Sequence, residues 1–203
     1  MISDKSDTRE QILEAAQQRF KHYGYSKTTM SEVAKDCEMS AGNIYRFFAS
    51  KLDIAEAIAE AYNRLTFIEI EKIAHKNAPA PLRLYEVFTY GLQETYRKMD
   101  VESKLLEVAD ILRKERPKFL NNLMAEERVS IVKILADGVD EGVFRSLDDP
   151  GTTAEMIQAA TMKFRFPQSY SNLTLPQLER ERQGVRSWGL YTDDAGDEAS
   201  GGR

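Results

Sequence analysis

Apolar residues recur along almost the whole chain at spacings of three and four residues, which is the period of one buried face of an α-helix. No segment shows the strict alternation of apolar and polar residues that marks a half-buried strand, and there is neither a glycine-rich phosphate loop nor an internal repeat. The pattern therefore predicts an all-α protein of about nine helices. The predicted helices cover residues 7–23, 30–37, 41–48, 51–75, 85–99, 105–113, 117–138, 152–166 and 175–190.

Capping residues mark several of the predicted helix starts. Asp7 is followed three residues later by Glu10, and Thr29 by Glu32. Both pairs fit the capping box, in which two side chains satisfy the first free N–H groups of a helix. Gly24 follows the first helix at the position where a left-handed residue commonly ends a helix. These signals predict three short helices at the start of the chain, joined by tight turns.

Three short helices, of which the second and third are joined by a tight turn, are typical of a helix-turn-helix DNA-binding unit. Ser40 is a candidate cap for the third helix, and Ser50 for the long helix that follows. We expect a three-helix, helix-turn-helix head over residues 1–50 and a C-terminal helical bundle over residues 51–192. Residues 193–203 are rich in glycine, aspartate and serine and are expected to form a disordered tail.

The charge of the chain is divided unevenly between these parts. The 203 residues carry a formal net charge of −5 and are 42% hydrophobic, which is enough apolar content for a core. The net charge alone argues against nucleic-acid binding, because phosphate contacts require basic surface. The first 50 residues, however, hold seven basic and seven acidic side chains, so the whole excess of −5 belongs to the remainder. The predicted head is neutral, and charge does not exclude DNA as its partner.

Single features exclude several classes of protein. The one cysteine, Cys37, rules out a disulfide framework within the chain, and with only two histidines a Cys/His zinc site is not expected. The N-terminal residues lack the apolar run of a signal peptide, and the longest uncharged stretch, residues 166–178, is too short and too polar to span a membrane. We expect a soluble, cytoplasmic protein without a cofactor. The sequence shows no nucleophile–base motif, metal-ligand cluster or cofactor loop, which argues against an enzyme.

The third predicted helix carries the residue types that DNA reading requires. Residues 40–43 are small or amide side chains, which let the backbone approach DNA and can bond a phosphate or an adenine edge. Ile44 and Phe48 recur four residues apart and face inward, whereas Tyr45 and Arg46 point the other way, toward phosphate or guanine. Hydroxyl and lysine side chains at nearby helix starts favour phosphate. The predicted phosphate contacts are Lys27, Thr28, Thr29, Tyr45 and Lys51, and the predicted readers at the start of the third helix are Ser40, Ala41, Gly42, Asn43 and Arg46.

Residues 9–55 resemble the DNA-binding head of the TetR/AcrR family of transcriptional regulators. The segment from Glu141 to Arg145, followed by Asp149 and Pro150, is also similar to that family. The resemblance in the head is carried by Phe20, Gly24-Tyr25, Thr28-Thr29, Val33-Ala34, the run from Ser40 to Phe48, and Ser50-Lys51-Leu52.

The resemblance implies a ligand-responsive regulator, most often a repressor, that acts as a homodimer. Its two recognition helices would enter successive major grooves of a palindromic double-stranded DNA operator, about 34–36 Å apart. The C-terminal domain would bind a small-molecule inducer and change that spacing through the long fourth helix. An inducer can do so only by binding the DNA-incompetent state more tightly than the competent one.

A pocket in the helical bundle would be lined by aromatic and methionine side chains, the same types that form a core. The acidic excess of the C-terminal part leaves two interpretations open, a solvated surface and a pocket for a cationic inducer. The predicted ligand contacts are Tyr85, Phe88, Tyr96, Phe119, Met124, Met162 and Phe166.

Two further points stay open at the level of sequence. One alternative function is a DNA-binding regulator without an inducer, such as an activator, an architectural factor or an adaptor for a partner protein. The dimer interface is also open, because the family usually dimerises through two apolar final helices. Here residues 178–182 of the last predicted helix are mostly charged, and Val185 and Trp188 extend only a thin apolar stripe.

Overall fold

The computed structural model describes residues 2–101, 104–165, 174 and 176–180. These residues are predominantly α-helical and contain no β-strand, which confirms the predicted all-α class. Residues 176–180 form one helical segment, so the described part of the chain has nine. The other eight are α1 (Ile2–Tyr23), α2 (Met30–Asp36), α3 (Ala41–Ile44), α4 (Lys51–Ala74), α5 (Ala80–Val101), α6 (Leu105–Glu115), α7 (Pro117–Asp140) and α8 (Pro150–Arg165).

Three of the predicted caps are confirmed by their hydrogen bonds. The Thr29 hydroxyl accepts from the backbone N–H of Glu32 at 3.3 Å, and the Glu32 carboxylate accepts from the backbone N–H of Thr29 at 2.8 Å, which completes the capping box of α2. Ser40 and Ser50 each accept from the N–H three residues later at 3.2 Å. The starts of α2, α3 and α4 are therefore fixed by local sequence.

The predicted start of the first helix is wrong. α1 begins at Ile2 rather than at Asp7, so Asp7 and Glu10 lie inside the helix and do not cap it. No proline or glycine occurs between Ile2 and Phe20. Since nothing in this stretch breaks the helical hydrogen-bond pattern, the helix continues past the capping signal.

The third helix is shorter than predicted. α3 ends at Ile44, and residues 45–47 form turns instead of continuing the helix to Phe48. The N–H of Arg46 donates to the carbonyl of Asn43 at 3.1 Å, and that of Phe47 to Ile44 at 3.0 Å. Bonds between residues three apart tighten the last turn, as in a 3₁₀ segment. The last predicted helix falls on residues 175–190, of which only 176–180 are described, and the predicted tail lies outside the described residues.

The chain forms two compact units. The first comprises Met1–Leu65 and Arg97–Leu123, and the second comprises Thr66–Tyr96 and Met124–Arg203. Helices α4, α5 and α7 each contribute residues to both units. With 24 residues, α4 extends about 36 Å.

The first unit has a continuous apolar core. Ile12 and Phe20 of α1, Ile44 of α3 and Ile54 of α4 have no exposed surface. Leu112 of α6 belongs to the same cluster and is 1% exposed. Burial of these side chains is the main stabilising contribution to the helix-turn-helix head, and α6 is part of that contribution.

The second unit is organised around a buried arginine. Arg83 of α5 is 4% exposed, and its guanidinium donates to the Ala74 carbonyl and to the Asp137 carboxylate, each at 2.6 Å. It also donates to the Glu141 carboxylate at 2.9 Å. Lys133 and Arg83 lower the pKa of Asp137 below its ordinary value through their hydrogen bonds. This network joins the end of α4, the start of α5 and the end of α7.

Candidate nucleic-acid interface

The outward edge of α3 is free of packing. Ala41 and Gly42 are exposed and Asn43 is half-buried, while Tyr45 is 53% exposed. On the opposite side Ile44 has no exposed surface. The predicted division of this helix into an inward and an outward face is therefore confirmed for the described side chains.

Gly42 stands out on this edge because the fold does not require a glycine there. An added Cβ would meet no atom within 4 Å, and the residue lies inside a helix, where alanine would be more favourable by about 0.5–1 kcal/mol. Close approach of another molecule to the backbone is a reason for glycine at such a position. Gly42 thus points to the surface on which DNA would lie.

The turn between α2 and α3 has an unusual backbone conformation. Glu38 has a φ of 55°, in the left-handed region that disfavours side chains with a Cβ. The N–H of Met39 then donates to the carbonyl of Ala34 at 2.8 Å. The turn predicted at these residues is confirmed, and it sets the direction in which α3 leaves α2.

The turn between α1 and α2 is held from two sides by charged side chains. On one side the Glu107 carboxylate of α6 accepts from the N–H groups of Tyr25 at 2.8 Å and Ser26 at 3.1 Å, and from the Ser26 hydroxyl. On the other side the Lys51 ammonium donates to the carbonyls of Tyr25 and Thr28, each at 2.7 Å. Lys51 Nζ also lies 4.1 Å from the centre of the Tyr25 ring, within range of a cation–π contact. We call this arrangement the α1–α2 clamp.

The clamp changes the roles of two predicted phosphate contacts. Thr28 is 1% exposed and its hydroxyl donates to the Gly24 carbonyl at 2.9 Å, so its side chain does not face a phosphate as predicted. Lys51 uses its ammonium group within the head instead of presenting it to solvent. Lys27 and Thr29 are exposed and flank the same turn. The clamp therefore positions these two residues.

Gly24 allows Glu107 to reach the turn. Its φ of +91° confirms the predicted left-handed end of α1. A Cβ at Gly24 would lie 2.7 Å from Glu107 Oε2, closer than atoms of these types approach. Backbone conformation and close approach of the carboxylate both require glycine here.

We predict that the clamp makes the head sensitive to acid. The hydrogen bond from the Ser26 hydroxyl, ahead of those from the two N–H groups, lowers the pKa of Glu107 below 4.5. A carboxylate whose pKa is lower in the folded state stabilises the fold above its ordinary pKa, and this stability is lost as the pH falls through the folded-state value. Glu107→Gln should therefore lower the free energy of unfolding by about 1–2 kcal/mol at pH 7 and by much less at pH 3.5.

Urea unfolding followed by circular dichroism at fixed protein concentration measures both values. Glu60→Gln, at an exposed glutamate of α4, is the matched control and should have a small effect at both pH values. A cost for Glu107→Gln that is equal at pH 7 and pH 3.5 would contradict the role assigned to the carboxylate.

The predicted ligand contacts are distributed over several environments in the described structure. Phe88 and Met124 line a small cavity between α5, α7 and α8. Tyr96 packs against the cluster of Leu92, Phe164 and Leu178. Tyr85 and Met162 are half-buried but do not line the cavity, and Phe166 lies outside the described residues.

Phe119 is the one predicted ligand contact that lies in the other unit. It packs against the core of the first unit, so the assignment of Phe119 to a ligand pocket is corrected. Phe119 follows Pro117 in the first turns of α7, and α7 enters the second unit only from Met124 onward. The apolar spacing along α7 is the same in both units and does not reveal this change.

The cavity between α5, α7 and α8, which we call the α5–α8 cavity, lies entirely within the second unit. Three polar side chains that line it were not among the predicted contacts: Glu127 and Gln158 are each 5% exposed and Thr161 is 6% exposed. The spacing of Gln158 and Thr161 places them on one helical face, but polar residues at this spacing usually face solvent. Only packing shows that this face is inside.

The fold and the exposed edge of α3 define a DNA-binding regulator with a helix-turn-helix head. Residues 12–58 match the family described as "Bacterial regulatory proteins, tetR family", and residues 80–186 match "Tetracyclin repressor-like, C-terminal domain". The second match alone covers more than half of the chain. The chain belongs to the TetR family of transcriptional regulators, as its resemblance predicted, and this assignment agrees with the expectation that it is not an enzyme.

Named relatives and solved structures agree with the family. The chain is 28% identical over 156 residues to the HTH-type transcriptional regulator YfiR of Bacillus subtilis (strain 168), covering 74% of this chain and 75% of that protein. It is 26% identical over 149 residues to the HTH-type transcriptional repressor KstR2 of Rhodococcus jostii (strain RHA1), covering 71% of each. A crystal structure of a TetR-family regulator from Pectobacterium atrosepticum has the same fold, with a TM-score of 0.74 at 17% identity over 95% of this chain and 98% of the other. None of the helices in the described part of this chain combines the length and apolar character of a membrane span.

Proposed function

We propose that the protein is a cytoplasmic, ligand-responsive repressor that binds a palindromic operator as a homodimer. The observation that carries the proposal is the outward edge of α3, where exposed small residues precede exposed Tyr45 and Arg46. Small side chains at the start of a recognition helix let its backbone enter the major groove. The name of the relative KstR2 describes a repressor and supports that direction of regulation.

The proposed division of labour follows the described surface. Bases are read by Ala41, Gly42, Asn43 and Arg46, and phosphates are contacted by Lys27, Thr29, Ser40 and Tyr45. Thr28 and Lys51 hold the turn that presents Lys27 and Thr29. We retain residues 1–50 as the DNA-reading domain, residues 51–192 as the ligand-binding and dimerisation domain, and residues 193–203 as a tail.

The homodimer is supported by exposed apolar side chains on two helices of the second unit. Met156 of α8 is 67% exposed and Val129 of α7 is 70% exposed. Large apolar side chains that remain accessible in one chain are suited to burial against a second copy. A dimer would also supply the two-fold symmetry that a palindromic operator requires.

Selection of bound duplexes from a random DNA library tests the DNA-binding function and identifies the operator in the same experiment. An enriched inverted repeat with half-sites about one helical turn apart would support a dimer with two reading heads. Enrichment of a single half-site, or no enrichment above the input library, would contradict the proposal. Sedimentation of the protein with and without the selected duplex reports how many chains bind.

Arg46→Ala should lower the affinity for the selected operator about tenfold, which corresponds to about 1.4 kcal/mol, because a base contact is lost. The loss should be greatest at one base pair, so operators changed at that pair should bind wild type and variant almost equally. Fluorescence anisotropy with labelled duplexes measures both effects. Arg64→Ala, at an exposed arginine of α4, is the control. Equal affinity of Arg46→Ala and wild type for the selected site would remove Arg46 from the set of readers.

A further inference from the structure

The α5–α8 cavity has a buried polar floor. Glu127, Gln158 and Thr161 form this floor and are all at least nine-tenths buried. Among the side chains that line the cavity, the carboxylate of Glu127 is the one formally charged group. Placing a carboxylate in an apolar interior has a high desolvation cost, so its position in a cavity wall requires an explanation.

Hydrogen bonds orient the rest of the floor. Gln158 donates through Nε2 to the Met124 carbonyl at 3.0 Å and accepts at Oε1 from Arg128 Nε at 2.9 Å. The Thr161 hydroxyl donates to the Ile157 carbonyl at 2.7 Å. The hydroxyl proton of Thr161 is therefore directed into the helix, and its oxygen remains an acceptor. With the oxygens of Glu127, the floor presents mainly acceptor atoms to a guest.

The size of the cavity restricts the group that can reach this floor. Its volume is about 20 Å³, which is room for one water-sized group. A primary ammonium group has that size and donates three hydrogen bonds. A carboxylate head is larger and has the same charge sign as Glu127, and a trimethylammonium head is several atoms larger and has no N–H donor.

The mouth of the cavity is apolar and open to solvent. Phe88, Gly91 and Met124 are half-buried and line the cavity together with buried Val87 and Leu92. A Cβ at Gly91 would meet no atom of the described structure within 4 Å, although the residue lies inside α5. Neither backbone conformation nor packing against described residues accounts for a glycine there, and the open space adjoins the cavity mouth.

We propose that the α5–α8 cavity binds a primary amine with an apolar body. The ammonium group enters the floor and pairs with Glu127, and the apolar body lies across Phe88, Gly91 and Met124. This inference rests on the proposed ligand-binding role of the second unit and narrows its ligand class. The pairing stabilises a buried carboxylate, because an opposite charge with hydrogen bonds offsets the cost of desolvation.

Three probes with the same eight-carbon chain test the head group. Isothermal titration of the full chain with octylamine, octanoate and octyltrimethylammonium, each below its micelle concentration, compares a small cation, an anion and a large cation. We expect octylamine to bind at least about tenfold more tightly than either of the others. Binding of octanoate or octyltrimethylammonium as tightly as octylamine would overturn the proposal.

Two variants test the place of binding. Glu127→Gln keeps the shape of the side chain and should weaken octylamine binding by about tenfold or more. Glu126→Gln, at the adjacent exposed glutamate, is the matched control and should leave binding unchanged. Gly91→Leu fills the mouth and should weaken octylamine binding without loss of helical content, and this variant decides the matter if Glu127→Gln fails to fold. Unchanged affinity in Glu127→Gln or in Gly91→Leu would overturn the site.

Operator binding is measured in parallel, so that the two proposals can fail separately. Release of the selected operator by octylamine from wild type, but not from a folded Glu127→Gln variant, would support both. Octylamine binding that leaves the protein–DNA complex intact would support this site and contradict its role as an inducer site. Release of DNA by octanoate, with no binding of octylamine, would overturn the amine class while leaving a ligand-responsive regulator in place.

Discussion

Lys51→Met is expected to lower the free energy of unfolding by about 2–3 kcal/mol and to weaken operator binding about tenfold or more. The ammonium group of Lys51 satisfies the carbonyls of Tyr25 and Thr28 at 2.7 Å each, and methionine of similar length cannot donate to either. The variant also removes the nearest cation from the Glu107 carboxylate, whose pKa Lys51 helps to lower. With the clamp open, Lys27 and Thr29 are no longer held in one orientation.

Chemical unfolding and fluorescence anisotropy with the selected duplex measure these two effects. Lys35→Met, at an exposed lysine of α2, is the matched control and should change stability by no more than about 0.5 kcal/mol. A simple phosphate contact would behave differently. If Lys51→Met leaves stability unchanged and only reduces the salt dependence of DNA binding, then Lys51 acts on phosphate and the clamp does not position the turn.

Gly138→Ala is expected to destabilise the protein by about 3 kcal/mol, although alanine is the better helix former. A Cβ at Gly138 would lie 2.1 Å from Cδ2 of the Phe144 ring. Phe144 is 3% exposed, and its N–H donates to the Gly138 carbonyl at 2.9 Å. The ring is held by the core and by this hydrogen bond, so the clash can be relieved only by moving the end of α7.

Gly91→Ala provides the comparison for this substitution within the same unit. No described atom lies within 4 Å of a Cβ at Gly91, so that variant should gain about 0.5–1 kcal/mol from helix propensity. The double variant Gly138→Ala with Phe144→Leu should be less destabilised than the sum of its single variants, because the smaller side chain relieves the clash. Equal thermal stability of Gly138→Ala and Gly91→Ala, or strictly additive single effects, would show that the ring contact does not limit residue 138.

Local signals in the sequence were sufficient for most of the helix boundaries in the described chain. The capping box of Thr29 and Glu32, the serine caps at residues 40 and 50, and the left-handed Gly24 act over three or four residues. The start of α1 was not predictable in the same way. A capping motif marks a position where a helix can begin, but it does not stop a helix that continues through it.

The candidate site was predictable only in part, and the division has a physical cause. The outward face of α3 follows from helical period, so exposed Tyr45 and Arg46 and buried Ile44 could be assigned from spacing alone. The hydrogen bonds of Lys51 join residues 23 and 26 positions apart, and those of Glu107 join residues 81 and 82 positions apart. No local pattern contains partners at such separations.

The sequence by itself determined an all-α protein with a helix-turn-helix head, because helical period, caps and turn residues act between near neighbours. It also placed the acidic excess outside the first 50 residues, and its motifs indicated the family. Tertiary structure alone decided which polar residues are inside. Packing turned Thr28, Arg83 and Glu127 inward, because burial depends on the helices that surround a residue and not on the residue's own neighbours in the chain.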